Sequence, residues 1–214
     1  LAELADCIGQ VKRPHPVRVA VDGPDAGGKT TLAEELAALL KARGRPVIRA
    51  SIDGFHNPAR VRHGPGSTPP ESYFHHSFNY RALIKSLLIP LGPGGSRRYR
   101  SAVFDYRTDA EVRIPIRVAE VNAVLLFDGV FLLRPELLAH WDFTIFVRVA
   151  FETTLARAVK RDAALFGGAE EVRRRYEQRY IPGQQLYLAA CAPAVRAQVV
   201  VDNNDPAKPE ILRR

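Results

Sequence analysis

A chain of 214 residues, 46% hydrophobic and 25% charged, has enough apolar material for a folded α/β domain, here read as one domain over 1–214. No apolar stretch reaches the roughly 20 residues that a membrane helix needs, so no membrane partner is expected. The formal charge of +8 suits either nucleic acid or a site for phosphorylated compounds. The arginines gather near residues 97–107 and 173–179 instead of forming one stripe, which favours a local phosphate clamp over nucleic acid. Cys7 and Cys191 have no ligand-spaced neighbours, which argues against zinc and for reduced thiols in a cytoplasmic protein.

Residues 1–10 mix Glu3 and Asp6 with Leu and Ala and read as a short amphipathic helix, not a signal peptide. Residues 17–22 form an apolar strand pattern that runs into Gly23-Pro24-Asp25-Ala26-Gly27-Gly28-Lys29-Thr30-Thr31. Leu32, Leu36, Leu39 and Leu40 then fall on one helical face. Strand, G-x-x-x-x-G-K-T and helix in that order make a phosphate-binding loop. Gly23, Gly27 and Gly28 let the backbone wind around phosphate oxygens, and the stretch from Gly23 through Asp25, Ala26 and Thr31 is the expected nucleotide contact. Lys29 can reach the β- and γ-phosphates, and the Thr30 hydroxyl is placed for Mg²⁺.

Gly44 and Pro46 stop the helix, and residues 47–52 give a second buried strand ending in Asp53-Gly54-Phe55-His56. Residues 57–77, rich in Pro, Gly, Ser, His and Arg, read as a long functional loop. Helical spacing returns over 78–88, and 101–106 with 112–118 form a candidate antiparallel flap. The most apolar run, 121–127, closes on Asp128-Gly129. A strand over 143–150 is followed by a helix into Arg161-Asp162, and Gly167-Gly168 breaks that pattern. A basic helix over 170–180 is interrupted by Pro182 and Gly183; residues 199–201 give a last strand and 202–209 a polar loop. Strands alternating with helices predict a mostly parallel sheet covered on both faces, with ligands beyond the strand C-termini. The loop at Gly23, Asp53, Asp128 and Asp202 all share that address.

Asp128 follows Val124-Leu125-Leu126-Phe127, a Walker-B pattern in which a carboxylate holds Mg²⁺ directly or through water; the alternative is a helix cap. Asp53 ends a neighbouring strand, where a carboxylate can accept the proton of an attacking hydroxyl; the alternative is a plain Asp-Gly turn. Simple NTP hydrolysis needs no such acceptor-side carboxylate.

Taken together, Gly23 to Thr31, Ser51-Ile52-Asp53-Gly54-Phe55-His56, Arg97-Arg98-Tyr99 with Val103-Phe104-Asp105-Tyr106, Leu126-Phe127-Asp128-Gly129 and Arg161-Asp162 resemble the uridine kinase/phosphoribulokinase family of P-loop kinases. The resemblance covers about 17–202 and implies a nucleoside-kinase-like P-loop α/β fold, with a flap near 97–118 and an Arg-rich lid near 160–183. It also implies ATP and Mg²⁺ as cofactors, and a small-molecule alcohol as partner, first a nucleoside such as uridine or cytidine. A sugar or pantothenate-like alcohol is the alternative, ahead of a regulatory or nucleic-acid-handling NTPase. By the same resemblance Asp53, Lys29 and Arg161 are catalytic, and Thr30 and Asp128 hold the metal. Asp53, Phe55, His56, Tyr73, Phe104, Tyr106, Arg107 and Arg174 contact the acceptor. The chain departs from the family pattern at Asp109, where a base-contacting His is usual, and at Tyr73-Phe74-His75-His76, where an Asp is usual. It departs again at Phe166-Gly167-Gly168, in place of Arg-Gly-Arg, so lid function passes to Arg161 and Arg173-Arg174-Arg175. A homo-oligomer is compatible with the sequence.

Overall fold

Ala2–Gln10 (α1) and Val17–Asp22 (β1) lead into Lys29–Ala42 (α2), Val47–Ser51 (β2) and a 3₁₀ turn, Ile52–Phe55. Ala59–Arg62 (α3), Pro69–His76 (α4) and Tyr80–Leu83 (α5) follow, the last running into a π turn over Ile84–Leu88. Short strands Arg98–Tyr99 (β3), Phe104–Asp105 (β4), Ala110–Glu111 (β5) and Arg117–Val118 (β6) precede Val124–Gly129 (β7), Pro135–Leu138 (α6) and Phe143–Arg148 (β8). Phe151–Phe166 (α7), Ala169–Arg175 (α8), a π turn over Tyr176–Tyr180, Ile181–Cys191 (α9) and Pro193–Arg196 (α10) lead to Val199–Asp202 (β9) and Glu210–Arg213 (β10). The computed structural model describes residues 1–64 and 66–213; residue 65, inside the expected 57–77 loop, lies outside them. Among the described residues no helix is long and apolar enough to cross a membrane.

The strands form one sheet in the order β10-β9-β8-β1-β7-β2, parallel except for β10. Every residue of β1 and β7 is buried, as expected of parallel strands covered on both faces. Val17, Val19 and Val21 pack on one face with Leu4, Ile8, Leu32, Leu36 and Leu40 of α1 and α2. Ala20, Leu125 and Phe127 face the larger layer of Phe55, Phe74, Leu87, Phe131 and Tyr187. Full burial of each such Leu or Phe contributes about 1.5–3 kcal/mol, so the aromatic layer fixes α4 and α9 against the sheet. Two buried residues of β1 are charged: Asp22 at its carboxyl end, and Arg18, which pairs with Asp142 at 2.9 Å.

Four expectations are corrected. Residues 57–77 are not a structureless loop: α4 forms, capped by Thr68, whose Oγ1 accepts from the Glu71 amide while the Glu71 carboxylate accepts from the Thr68 amide at 3.0 Å. Pro182 does not interrupt the basic helix, because it falls in the first turn of α9, directly after the π turn, where a missing amide hydrogen is tolerated. The flap is antiparallel, but its pairing is nested: Phe104 pairs with Glu111 in an inner hairpin, and Arg98 pairs with Val118 in an outer ladder. Finally, the polar stretch after β9 turns back into β10, an antiparallel edge strand absent from the sequence reading.

Candidate functional site

The carboxyl end of β1 hands the chain directly to the Gly-rich loop. Ala26 and Gly28 sit at φ 54° and 87°, so the loop curls through the left-handed region. A side chain at Gly28 would collide with the Asn203 amide, whose Nδ2 donates to the Gly27 carbonyl at 2.8 Å. Lys29 is 8% exposed and donates from Nζ to the Pro24 carbonyl at 2.6 Å, spanning the loop. Burial pushes its ammonium pKa down, against the pull of Asp25, Asp22, Asp128 and Asp53. The 14-residue helix α2 begins at Lys29, so its unpaired first amides and dipole favour an anion at this end.

Asp128 lies within β7, opposite Val21 of β1 and Ser51 of β2, so it is a strand residue and not a helix cap. Its two oxygens are held separately: Thr30 Oγ1 donates to Oδ2 at 2.7 Å and Arg49 Nη2 donates to Oδ1 at 2.8 Å. A hydroxyl touching a carboxylate is a hard-oxygen donor set suited to Mg²⁺. Among the described residues no cluster of three or more His, Cys, Asp or Glu could hold a metal unaided. These residues therefore fit Mg²⁺ that arrives with phosphate and water ligands of its own.

Asp53 occupies the 3₁₀ turn after β2, its amide donating to Ser51 Oγ at 3.4 Å. The residue is exposed to the cleft, yet desolvation by the surrounding walls raises its carboxyl pKa; His56 and Lys29 oppose that shift while Asp25 and Asp128 add to it. His56 bonds through Nδ1 to the Asp53 carbonyl at 3.0 Å, and its ring packs against Phe78 and Tyr106 at 4.6 and 4.8 Å. Burial lowers the His56 pKa, leaving a neutral ring at neutral pH. The flap docks on this turn: the Val103 amide donates to the Gly54 carbonyl at 2.8 Å. At the flap tip, Asp109 Oδ1 accepts from the Ala59 amide at 2.8 Å and from Arg62 Nη2 at 2.9 Å. Arg107 stacks on Tyr106, 5.7 Å from the ring centre.

Tyr73 donates to Asp25 Oδ2, and the Asp25 amide donates to Gln184 Oε1 at 2.8 Å, tying the loop to α4 and α9. Other expected contact residues are engaged within the protein. Phe55 is wholly buried against Phe127, and Phe104 is buried in β4, so neither offers a face to a ligand. Arg174 is exposed and forked onto Glu171 at 2.7 and 2.8 Å. Arg161 is likewise held by Asp162, at 2.7 and 2.8 Å.

Sequence reasoning missed Asp22, Arg49, Arg179, Gln184, Tyr187 and Asn203. Asp22 had a signal, an acid at the last position of an apolar buried strand. Its carboxylate accepts from the Gly23 amide at 2.8 Å, from the Leu132 amide at 3.3 Å and from Tyr187. Burial nevertheless pushes its pKa up to about 6. A cavity of about 260 Å³ beside Gly23 and Pro24, walled by Phe131, Phe146, Tyr187 and Leu188, is lined by none of Lys29, Thr30, Asp53 and Asp128.

No protein-family model matches the chain. It is 26% identical over 178 residues to uridine-cytidine kinase B of Dictyostelium discoideum, which covers 81% of this chain and 70% of that protein. It is 26% identical over 220 aligned positions to pantothenate kinase of Rhodopseudomonas palustris (strain HaA2), with 94% and 68% covered. Among solved structures, a possible uridine kinase from Bacillus stearothermophilus matches with a TM-score of 0.73 at 21% identity, over 92% of this chain and 95% of that one. A protein assigned as a fructose transport system kinase of Silicibacter sp. TM1040 matches with a TM-score of 0.75 at 25% identity, over 89% and 94%. The fold is that of the P-loop kinases, an α/β fold with a mostly parallel sheet, and the resemblance to uridine kinase-like kinases drawn from the motifs holds.

Proposed function

We propose that this chain is an ATP- and Mg²⁺-dependent phosphotransferase that passes the γ-phosphate to a hydroxyl of a small molecule. The observation that carries the reading is the arrival of Lys29, the Thr30–Asp128 pair and Asp53 at the ends of three adjacent strands, β1, β7 and β2. The loop amides and Lys29 would hold the triphosphate, and Thr30 and Asp128 would hold the metal. When bound, the metal would supply positive charge to offset the charge of the transferring phosphate. Asp53 orients the acceptor hydroxyl and takes its proton, a contribution of about 10²–10⁴ in rate. Its raised pKa makes the carboxylate a better base than an ordinary surface aspartate. Arg161 can reach developing charge only when it exchanges Asp162 for phosphate oxygens.

For the acceptor, a nucleoside is supported by the partly buried His56–Tyr106 ring pair, against which a planar base could stack. A non-nucleoside alcohol is supported by the burial of Phe55 and Phe104 and by Asp109, whose carboxylate is engaged with α3. A coupled ADP-release screen over nucleosides, sugars and vitamin alcohols tests the class, beside acceptor-free and RNA-containing controls. ATP turnover that ignores every alcohol, or responds only to RNA, would replace the kinase reading with an NTPase.

A further inference from the structure

Arg179 lies in the π turn before α9, half-buried, with its guanidinium 5.8 Å from the Tyr73 ring centre. Its hydrogen-bond partners are His63 Nδ1 and the Arg62 carbonyl, each at 3.2 Å, and neither is a carboxylate. The neighbouring arginines differ. Arg161 holds Asp162, Arg174 and Arg175 share Glu171, and Arg62 holds Asp109. A guanidinium only donates, so His63 Nδ1 must accept, which leaves that ring neutral. Burial and the charges of Arg179, Arg62 and Arg175 lower the His63 pKa, in agreement. Burial and Arg62 likewise depress Arg179 itself. Among the described residues Arg62 Nε is a further buried donor with no hydrogen-bond partner. Such a group costs about 1–3 kcal/mol when left unpaired, so these donors favour an anion.

Their place is near the Asp53–His56 turn. Helix α3, which carries Arg62, follows the Asp53–His56 turn, and the Arg62 charge is felt at His56. The Tyr73 ring beneath Arg179 belongs to the residue that donates to Asp25. We propose that Arg179, together with Arg62 and His63, binds an anionic group, carboxylate or phosphate, carried by the acceptor alcohol whose hydroxyl meets Asp53. This deepens the kinase reading and rests on it. A planar fork matches two oxygens of either anion, and a neutral nucleoside would leave Arg179 without a counter-ion. The triphosphate is the less suitable anion, because Arg179 is bonded to the α3 segment and not to the Gly-rich loop.

Calorimetry on the full chain reads this subsite without requiring turnover. The probes are D-glycerate and glycerol 3-phosphate beside glycerol, and pantothenate beside pantothenyl alcohol. At least one anion should bind about ten- to a hundredfold more tightly than its neutral counterpart, the size of one charge-assisted contact. Arg179→Gln should remove most of that preference and leave ATP affinity in place; Arg179→Lys, which keeps charge without the fork, should restore part of it. Response to the carboxylates alone or to the phosphate alone identifies the source. Equal binding of every anion and its neutral counterpart overturns the proposal, and this arm needs no variant to fold. A preference that survives Arg179→Gln overturns it too, as does loss of ATP affinity in place of anion affinity. Phosphorylation of neutral nucleosides without anion preference would sink this proposal and leave the kinase reading standing. Anion binding with no transfer to any alcohol would do the reverse.

Discussion

Asp22 and Asp53 both have carboxyl groups displaced upward by burial, with different consequences. Asp22 is sealed under the loop, with a pKa of about 6 against an ordinary 3.8. The native state therefore binds the proton more tightly than the unfolded chain. Stability from this group is fully present only below the unfolded value of 3.8, falls as pH rises to about 6, and is lost above that. A displacement of two units corresponds to about 3 kcal/mol. Asp22→Asn should remove that slope, so the variant gains on the parent between pH 4 and pH 6 in urea unfolding. A difference that stays constant over this window would mean that the Asp22 carboxyl is not displaced. Asp53 is instead open to the cleft, and its displacement bears on chemistry. Asp53→Asn keeps size and hydrogen bonding but cannot take a proton, so single-turnover transfer should fall by at least about a hundredfold. ATP affinity, read by calorimetry, should hold, since the loop supplies the phosphate contacts. Transfer within threefold of the parent, well short of the roughly 10²-fold expected of a general base, would return Asp53 to the role of a turn residue.

At the scale of elements, the flap is fastened at both ends of its inner hairpin. Val103 bonds to Gly54 at its base, and Asp109 grips α3 at its tip. Asp109 sits at φ 51°, a conformation that glycine adopts without strain. Asp109→Gly should therefore release the tip without distorting the turn, raising the acceptor KM several-fold and speeding amide exchange over the flap. Unchanged exchange there would show that the base alone holds it. This element also shows what was legible in the sequence. The flap's extent could be read because its aromatics and arginines cluster; its pairing could not, because two-residue strands carry no alternation. The loop, Asp53 and Asp128 were legible because their signals are local: a motif, or an acid ending an apolar run. Phe55 was misread because a 3₁₀ turn points successive side chains about 120° apart, so the residue two beyond Asp53 drops into the core. The helix α4 was missed despite its signal, a Thr68-x-x-Glu71 capping box inside a Pro-rich stretch. Gln184, Tyr187 and Asn203 had no local signal; they are defined by what they meet more than a hundred positions away.

Over the whole molecule, those distant residues make the Gly-rich loop a junction. Tyr73 of α4 and Gln184 of α9 reach Asp25, Tyr187 reaches Asp22, and Asn203 beyond β9 reaches Gly27. A ligand seated in the loop therefore braces α4, α9 and the segment after β9 through these contacts, and it has no comparable site in the unfolded chain. Nucleotide at a hundred times its Kd adds about 2.7 kcal/mol of stability by mass action. For a chain of this size, that is roughly 5–10 °C in Tm. Lys29 separates the binding effect from the structural one. Its buried ammonium is destabilised by desolvation and stabilised by Asp25, Asp22, Asp128 and Asp53. Lys29→Ala removes both contributions at once, and since they oppose each other the unliganded Tm should move by only a few degrees. The nucleotide shift should not survive. If the Kd rises a hundredfold, the same ligand concentration adds only about 0.4 kcal/mol, or roughly 1 °C. Melting curves of both proteins with and without MgATP decide the matter. A full shift in Lys29→Ala would mean that the loop is not where the nucleotide binds, and the phosphotransfer reading would lose its donor site.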